Sequence, residues 1–417
     1  MRLLSHRVGS PWAVVALCSV LLVAEGYDLI VYGALLPSLL REPGWGLTGA
    51  AAGTIGSMAY VGMSIGALAG GRLTDRFGRR CFVVGSVAWF TLWTAAGALS
   101  GGPWQLGLFR LLAGIGMGGV MPAAFALATE YAPRGRTALA ITVMTTGLPV
   151  GGTLASLLAL GVLEAHGWRA MFWIGAAASV VILAVAAVWL PESKSFVRAR
   201  AERTRFGELF GPRLRVTSIL FALTSFVSLL TWYGMNTWVA TVMRALNYPL
   251  SSALTFSLVL NAGAVAGSFA FAAAADRWGS RRTGVVCALF AAAGITGYVL
   301  GTTVLAVLLI MIALFGMGAN SALNLINASI AATYPTPLRG TALGWSNGIG
   351  RLGAVAAPTL GGWVLAGLGP RAVFGTFLIT ALCAAALFVA LALTARRSLS
   401  VSSSAGAGRP LGAEAGT

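Results

Sequence analysis

The sequence predicts an all-α integral membrane protein of twelve helices, arranged as two related six-helix halves. Of its 417 residues, 58% are hydrophobic and only 9% are charged, which is too little charge to keep a chain of this length in water. Apolar stretches fill most of the chain, and a bilayer-spanning helix needs about 20 such residues. A short basic turn occurs once in each half, which indicates that one half repeats the other.

The apolar stretches are separated by short loops that carry most of the charge. Glycine and proline are scattered through these stretches, as membrane helices tolerate. The short alternating segments typical of a membrane β-barrel are absent from the sequence. We therefore predict transmembrane helices at 13–39, 48–71, 81–99, 103–128, 137–163, 169–190, 217–244, 251–275, 283–303, 304–332, 341–368 and 370–395.

The two halves share three short segments in the same order. The basic turn reads GRLTDRFGRR from Gly71 and AAAADRWGSRR from Ala272. A second segment follows the fourth helix of each half and begins at Tyr131 and at Tyr334, and a third, GLPVGG and then PTLGG, lies in the fifth helix of each half. We predict an N-terminal bundle at 1–190, a basic cytoplasmic loop at 191–216, a C-terminal bundle at 217–395 and a disordered cytoplasmic tail at 396–417.

Positive charge is concentrated at one end of the predicted helices. The net charge is +17, and Lys and Arg are enriched in the cytoplasmic loops of membrane proteins. If both termini are cytoplasmic, the 28 Lys and Arg residues fall in cytoplasmic segments apart from Arg41, Arg110, Arg169, Arg244, Arg351 and Arg371. We expect a multi-pass monomer of the plasma (inner) membrane whose central loop contacts anionic lipid, and no nucleic-acid partner.

Several functional classes fit the sequence poorly. A membrane enzyme needs a nucleophile with a base, or metal ligands, yet the only histidines are His6 and His166 and both lie outside the predicted helices. The glycine run from Gly114 to Gly119 lacks the Gly-Lys-Ser/Thr ending of a phosphate-binding loop, so close helix packing explains it better. We expect no metal site and no cofactor, with the proton as the coupling ion of a transporter.

Four charged residues lie within the predicted helices: Glu25, Asp28, Arg110 and Arg351. A charge at the centre of a bilayer costs at least about 2.5–3.5 kcal/mol on insertion scales, so such residues face the protein interior and mark functional sites. Their positions therefore give the sharpest functional signal in the sequence.

Glu25 and Asp28 are three residues apart and share one face of the first helix, and Tyr32 continues that face. Two carboxylates this close repel each other, so one of them is expected to hold a proton at neutral pH. A protonatable pair within a membrane is what proton coupling requires. The structural alternative is a salt bridge to Arg110 that joins the first helix to the fourth.

An organic acid bound inside the membrane needs a cation for its carboxylate. Arg110 and Arg351 are the available cations, although Arg351 lies close enough to the cytoplasmic end to stabilise an inner gate instead. Polar side chains repeat along two other helices and are expected to line the cavity with Tyr32; the alternative is hydrogen bonding between helices. These side chains are Tyr233, Asn236, Asn320, Asn324 and Asn327. The nearby Trp232 and Trp238 fit either ring stacking or interfacial anchoring.

The basic turns are candidates for gating. Gly78 permits a tight turn, and a carboxylate near a helix N-terminus is stabilised by about 0.3–1 kcal/mol. Glu130, at the inner end of the fourth helix, is expected to pair with Arg80 or Arg134. The alternative is a topology signal with exposed ion pairs of little energetic value. The candidate gating residues of the two turns are Gly71, Asp75, Arg76, Gly78, Arg79, Arg80, Asp276, Arg277, Gly279 and Arg282.

The chain resembles the major facilitator superfamily over nearly its whole length. The first basic turn is similar to the signature loop of that superfamily, and RLLAGIGMG, from Arg110, resembles its fourth-helix motif. The second turn departs from the pattern, with Ala272 in place of the leading glycine. The resemblance implies a two-bundle fold, a site near the midplane between halves that rock, and a role for Asp75 as a latch on the eleventh helix.

A narrower resemblance joins the chain to the aromatic acid:proton symporters. AEGYDLIVYG, from Ala24, resembles their first-helix signature Asp-Gly-Tyr/Phe-Asp, with Glu25 in place of the first aspartate. WSNGIGRLGA, from Trp345, and WYGMNTW, from Trp232, are similar to their eleventh and seventh helices. The resemblance implies proton-coupled import of a small aromatic carboxylate of the benzoate or hydroxybenzoate class.

Two alternatives remain open at the level of sequence. GLPVGG, from Gly147, partly matches a fifth-helix signature of proton-driven antiporters, which keeps drug or metabolite efflux possible. A symporter of another small organic acid is the second alternative.

Overall fold

A computed structural model describes residues 10–133, 136–192, 206–212 and 214–406, with the backbone alone at 71, 72, 75, 138, 206, 336 and 395–406. These residues form helices and no strand. The helices are α1 (Pro11–Leu39), α2 (Gly49–Phe77), α3 (Arg79–Ala98), α4 (Pro103–Tyr131), α5 (Thr137–Thr145), α6 (Gly147–Trp189), α7 (Arg215–Ala245), α8 (Leu250–Trp278), α9 (Ser280–Val299), α10 (Leu305–Thr333), α11 (Thr336–Leu368) and α12 (Pro370–Gly406), with one 3₁₀ turn at Phe206–Phe210.

The long helix α6 contains two membrane crossings. Its backbone is non-helical at Gly167, with φ 72° and ψ 175°, a conformation that glycine adopts without the steric penalty of a side chain. Eleven described segments are long and apolar enough to cross a membrane, and one of them is the 51-residue segment Leu139–Trp189. Divided at Gly167, that segment supplies the predicted fifth and sixth helices, so the prediction of an all-α, twelve-helix fold is confirmed.

The ends of the chain differ in part from the expectation. α12 continues to Gly406, beyond the boundary at 395 that the sequence predicts. Residues 407–417 and most of the predicted central loop lie outside the described residues. The described part of that loop includes a 3₁₀ turn at Phe206–Phe210, which packs against α7 and α11.

The two basic turns have the same backbone conformation. Gly78 ends α2 and begins α3 with φ 84° and ψ 156°, and Gly279 does the same between α8 and α9 with φ 82° and ψ 145°. Positive φ is accessible to glycine and rare for other residues, which confirms the tight turn inferred for Gly78. Below, the end of the molecule that carries these two turns is called the basic end, and the other is called the opposite end.

The glycine run of α4 is a packing surface, as the sequence predicts. A Cβ atom added to Gly114 would lie 2.1 Å from the carbonyl oxygen of Ala59, and one added to Gly118 would lie 2.0 Å from that of Met63. Both partners belong to α2, so the two backbones touch. Small residues of this kind allow close helix approach in membranes, where lipid provides no hydrophobic force between helices.

The two halves meet mainly where α2 packs on α11, α6 on α8 and α1 on α7. Toward the opposite end, a Cβ atom at Gly53 would lie 2.4 Å from the carbonyl oxygen of Pro358. One turn further along, Ser57 donates a hydrogen bond of 2.6 Å to the carbonyl oxygen of Val355. The halves are therefore in direct contact from the opposite end to near the middle.

The halves separate toward the basic end. Gly348 and Gly344 lie on the same face of α11 as Val355, because steps of seven and eleven residues return to one helix face. No described atom lies within 4 Å of a Cβ atom added to either glycine. On α2, Leu68 lies on the face of Ser57 and is 81% exposed. The gap between these two faces opens the molecule at its basic end.

This geometry predicts a pattern of thiol reactivity. In a background without the four native cysteines, Gly348→Cys and Leu68→Cys should react rapidly with a water-soluble maleimide in nanodiscs. Ser57→Cys is the matched control on α2 and should react at least about tenfold more slowly, because opening the contact between halves must precede its labelling. Equal rates at positions 57, 68 and 348 would contradict the described opening.

Candidate functional site

The two acids of α1 are buried between the halves. Glu25 is 0% and Asp28 3% exposed, and Arg110 of α4, also 3% exposed, lies beside Asp28. Glu25 and Asp28 lie near the middle of α1, and Arg110 lies about two turns from the N-terminal end of α4. The structure therefore brings Arg110 together with Asp28.

Asp28 is held by neighbours of its own half. The Thr94 hydroxyl donates a hydrogen bond of 2.7 Å to Asp28 Oδ1. Arg110 interacts electrostatically with the carboxylate, but its Nη1 hydrogen bond, of 3.3 Å, goes to the backbone carbonyl of Asp28. A direct salt bridge between Arg110 and the α1 acids was the structural alternative to proton coupling. Among the described residues, Arg110 and the Asp28 carboxylate instead interact at longer range.

The Arg110 guanidinium has hydrogen-bonding capacity that its described neighbours do not use. Its guanidinium lies over the Tyr32 ring, with the Cζ atom 4.6 Å from the ring centroid, which is a cation–π geometry. Its Nε has no acceptor among the described residues. Tyr32 is fixed in turn, because its hydroxyl donates to the carbonyl oxygen of Ala52 at 2.7 Å. The result is a rigidly placed, buried cation with a free donor.

Glu25 differs from Asp28 in having no hydrogen-bond partner for either carboxyl oxygen among the described residues. The groups that interact with it electrostatically are Arg351 of α11 and Tyr233 of α7. Both belong to the C-terminal half. The two acids of one helix face therefore have different surroundings: Asp28 interacts within its own half and Glu25 across the boundary.

Arg351 bridges the halves directly. Its Nη1 donates a hydrogen bond of 2.9 Å to the carbonyl oxygen of Met63 on α2. This contact lies at the point where α2 and α11 begin to separate toward the basic end. The position is compatible with both roles that the sequence analysis gave Arg351, substrate contact and stabilisation of the inner gate.

Tyr60 belongs to the site, although the sequence analysis did not select it. Its ring packs on that of Tyr233 with centroids 4.6 Å apart, so an aromatic pair joins α2 to α7. The Thr237 side chain lies beside the Tyr60 hydroxyl, and Arg110 interacts electrostatically with that same hydroxyl. A single tyrosine in an apolar helix is not a distinctive sequence signal. The role of Tyr60 becomes visible only when α2 is seen to pack against α7 of the other half.

Asn236 also has a partner that the sequence analysis missed. Asn261 Nδ2 on α8 donates a hydrogen bond of 3.0 Å to Asn236 Oδ1, and Asn236 Nδ2 donates to the Trp232 carbonyl oxygen at 3.1 Å. Asn236 is thus part of a buried amide pair between α7 and α8.

The asparagines of α10 are divided among different neighbours. Asn320 donates to the Ser268 hydroxyl of α8 at 2.9 Å, and Asn327 accepts from Asn347 of α11 at 3.1 Å. Asn324, between them, is half-buried and forms no hydrogen bond with the described residues. Two of the three therefore join helices, which is the alternative that the sequence analysis set beside cavity lining.

The two tryptophans of α7 lie inside the C-terminal half. Trp232 stacks on Phe315 with centroids 6.4 Å apart. Trp238 is fully buried and donates from Nε1 to the Pro358 carbonyl oxygen at 2.9 Å. Interfacial anchoring does not describe either residue.

The first basic turn is tied to the end of α6. Arg79 forms an ion pair with Glu130, whereas Arg80, one of the two predicted partners of Glu130, donates from Nη2 to the Ala187 carbonyl oxygen at 2.6 Å. The other predicted partner, Arg134, lies outside the described residues, so the pairing of Glu130 with Arg80 or Arg134 stays a prediction. Glu192, which the sequence analysis did not select, accepts a 2.8 Å hydrogen bond from the Arg79 backbone N–H.

In the second turn, the arginine that corresponds to Arg80 is Arg281, and it also forms hydrogen bonds to neighbouring helices. Arg281 donates to the Leu391 carbonyl oxygen at 3.0 Å and to the Thr333 hydroxyl at 2.6 Å. The predicted Arg282 is exposed, as are Arg76, Asp276 and Arg277. Arg134 lies outside the described residues, and the structure describes only the backbone at Gly71 and Asp75.

A comparison with protein families matches the chain to the Major Facilitator Superfamily over residues 18–270 and 256–414. The Gentisate transporter of Corynebacterium glutamicum is 43% identical over 385 residues, covering 89% of this chain and 84% of that protein. The Gallate transporter of Pseudomonas putida is 31% identical, with 91% of each chain covered.

Solved structures agree with the fold. A bacterial homologue of the human lysosomal transporter Spinster, in an inward-facing and unoccupied conformation, superimposes with a TM-score of 0.74 at 18% identity and covers 93% of this chain and 98% of its own. At this identity the likeness concerns the fold alone. From the family match, the relatives named as transporters and the helical architecture, the chain belongs to the Major Facilitator Superfamily and is a multi-pass membrane transporter rather than an enzyme.

Proposed function

We propose that this transporter imports a small aromatic carboxylate, of the hydroxybenzoate class, together with protons. The observation that carries the proposal is the buried group at the boundary between halves: an arginine with a free donor, one hydrogen-bonded acid and one acid without hydrogen bonds. Charges in a membrane interior are costly and are retained for function. The relatives named for gentisate and gallate, both ring-hydroxylated benzoates, support the substrate class.

Arg110 is the proposed partner of the substrate carboxylate. It is buried, and among the described residues its Nε has no acceptor and no acid side chain contacts it directly. A carboxylate that reaches this guanidinium gains charge-assisted hydrogen bonds, which are about twice as strong as neutral ones. Tyr60 and Tyr233 supply flat apolar faces for the ring, and aromatic pairs favour tilted or edge-on contacts of this kind.

Glu25 is the proposed proton carrier, and Asp28 the fixed acid. A buried carboxylate without hydrogen bonds is far more costly than a carboxylic acid in the same place, which favours the protonated form of Glu25. Asp28 has a donor in Thr94 and a cation nearby, and these stabilise its charge. Loss of the Glu25 proton creates a negative charge that attracts Arg351 from the other half.

The transport cycle follows from the position of these groups. Substrate and proton enter while the opposite end is open, the halves rock, and both leave at the basic end. The basic turns would help to close that end in the alternate state. We take the basic end to be cytoplasmic, since Lys and Arg are enriched in cytoplasmic loops, which places both termini inside the cell.

Uptake into proteoliposomes tests this function. Radiolabelled 2,5-dihydroxybenzoate or benzoate should accumulate when an inward proton gradient is imposed, and accumulation should vanish when the gradient is collapsed. No uptake of either acid, with labelled cationic drugs moving toward the acidic side instead, would support the antiporter alternative. Uptake that ignores the gradient would contradict proton coupling.

The two acids should be separable by assay. Glu25→Gln should lose gradient-driven accumulation yet keep exchange of labelled for unlabelled substrate, because exchange needs no net proton movement. Asp28→Asn should lose both, since it removes the negative charge that interacts electrostatically with Arg110, although the amide oxygen can still accept from Thr94. Accumulation that survives unchanged in Asp28→Asn, or exchange lost equally in both variants, would contradict the division of roles.

Substrate binding should depend on the planar shape of the Arg110 side chain. Arg110→Lys keeps the charge but loses the planar fork, and we expect substrate to bind about 10- to 100-fold more weakly, as the loss of a charge-assisted hydrogen bond implies. Equilibrium binding in detergent measures this. Arg169→Gln is the matched control: Arg169 pairs with Glu42 at 2.9 Å outside the site, and binding should remain unchanged. Normal binding by Arg110→Lys would contradict the proposed contact.

A further inference from the structure

Asn261 of α8 lies where three helices from both halves meet. It is 0% exposed. A Cβ atom added to Gly152 of α6 would lie 2.5 Å from Asn261 Oδ1 and 2.4 Å from Ile30 Cδ1 of α1. Ile30 follows Asp28 by two residues, so the Asn261 side chain lies at the level of the buried acids and at the contact between halves.

The orientation of this amide is set by its donors. Nδ2 donates to Asn236 Oδ1 at 3.0 Å and to the Ser257 carbonyl oxygen at 2.9 Å. Both N–H groups are therefore used, and the amide cannot rotate without losing them. Oδ1 is left facing α6 and α1 of the other half, and it has no donor among the described residues.

A buried acceptor without a donor is unfavourable, and native proteins contain few of them. The Ser257 hydroxyl, one turn away on the same face of α8, is also buried and has no partner in the described part of the chain. If Asn261 served packing alone, an apolar side chain of the same size would fill the space without this cost. The arrangement therefore indicates a donor that arrives during the transport cycle.

We propose that Asn261 is a specificity-determining residue that accepts a hydrogen bond from a ring hydroxyl of the substrate. This inference rests on the proposed function. In the described state the halves cover Oδ1, and separation of α6 from α8 at the opposite end would expose it to an entering molecule. An acceptor repels the carboxylate, which Arg110 attracts, so the two residues bind different ends of one substrate.

Selectivity follows from the chemistry of the acceptor. A phenolic O–H satisfies Asn261 Oδ1, whereas unsubstituted benzoate leaves it unpaired. A site built to hydrogen-bond a substrate hydroxyl discriminates strongly against the analogue that lacks it. The protein is thus expected to prefer hydroxylated benzoates over benzoate itself.

The test compares two substrates in one variant. Uptake kinetics are measured for 2,5-dihydroxybenzoate and benzoate with the wild type and with Asn261→Leu. We expect the ratio of kcat/KM values, hydroxylated acid over benzoate, to fall about tenfold in the variant, as the loss of one hydrogen bond implies. Thr380→Val, which removes a 2.8 Å bond to Thr231 between α7 and α12, is the control and should leave the ratio unchanged.

Other results would overturn the inference. An equal fall for both acids would make Asn261 a packing residue, and an unchanged ratio would exclude contact with the hydroxyl. If Asn261→Leu does not fold, the wild type still decides: equal kcat/KM values for benzoate and for the 2-, 3- and 4-hydroxybenzoates and 2,5-dihydroxybenzoate would contradict the proposal. Failure of the proposed function is distinct, since the wild type would then accumulate none of these acids.

Discussion

The arrangement at the centre of this protein depends on a guanidinium that is removed from both water and lipid. Arg110 is surrounded by a ring face, a backbone carbonyl and, at longer range, the Asp28 carboxylate. None of these neutralises it by direct contact, so a positive potential persists inside an apolar bundle. In the proposed function, an entering organic anion supplies the missing charge, so substrate binding depends directly on the packing of α1 and α4 around Arg110.

The second buried cation links this charge balance to movement. Arg351 belongs to the other half, bonds to the backbone of α2 and acts electrostatically on Glu25. Any rocking of the halves changes its distance from Glu25, whereas Arg110, Asp28 and Thr94 move as one body. This difference between the two acids suits the proposed coupling of proton binding to motion, because Glu25 interacts with the other half and Asp28 interacts with its own half.

Most of the fold follows from the sequence, because helix length, charge asymmetry and a repeated turn are local signals. Glu25, Asp28, Arg110 and Arg351 were also predictable, since a charge inside an apolar stretch is conspicuous. Tyr60 and Asn261 were not, because uncharged polar residues are common in membrane helices and their roles depend on which helices meet. The contact of Arg79 with Glu130 was not predicted for the same reason: Arg79 and Arg80 are adjacent in sequence but point toward different helices.

The hydrogen bonds that join the halves have a consequence for speed. Ser57 and Arg351 both donate to backbone carbonyls across the boundary, and Ser57 also meets the Thr359 hydroxyl at 2.8 Å. A typical hydrogen bond contributes only about 0.5–1.5 kcal/mol net, and each tenfold change in rate corresponds to about 1.4 kcal/mol of barrier. Breaking these three described bonds therefore adds about 1.5–4.5 kcal/mol to the activation barrier, which slows separation of the halves by about ten- to a thousandfold.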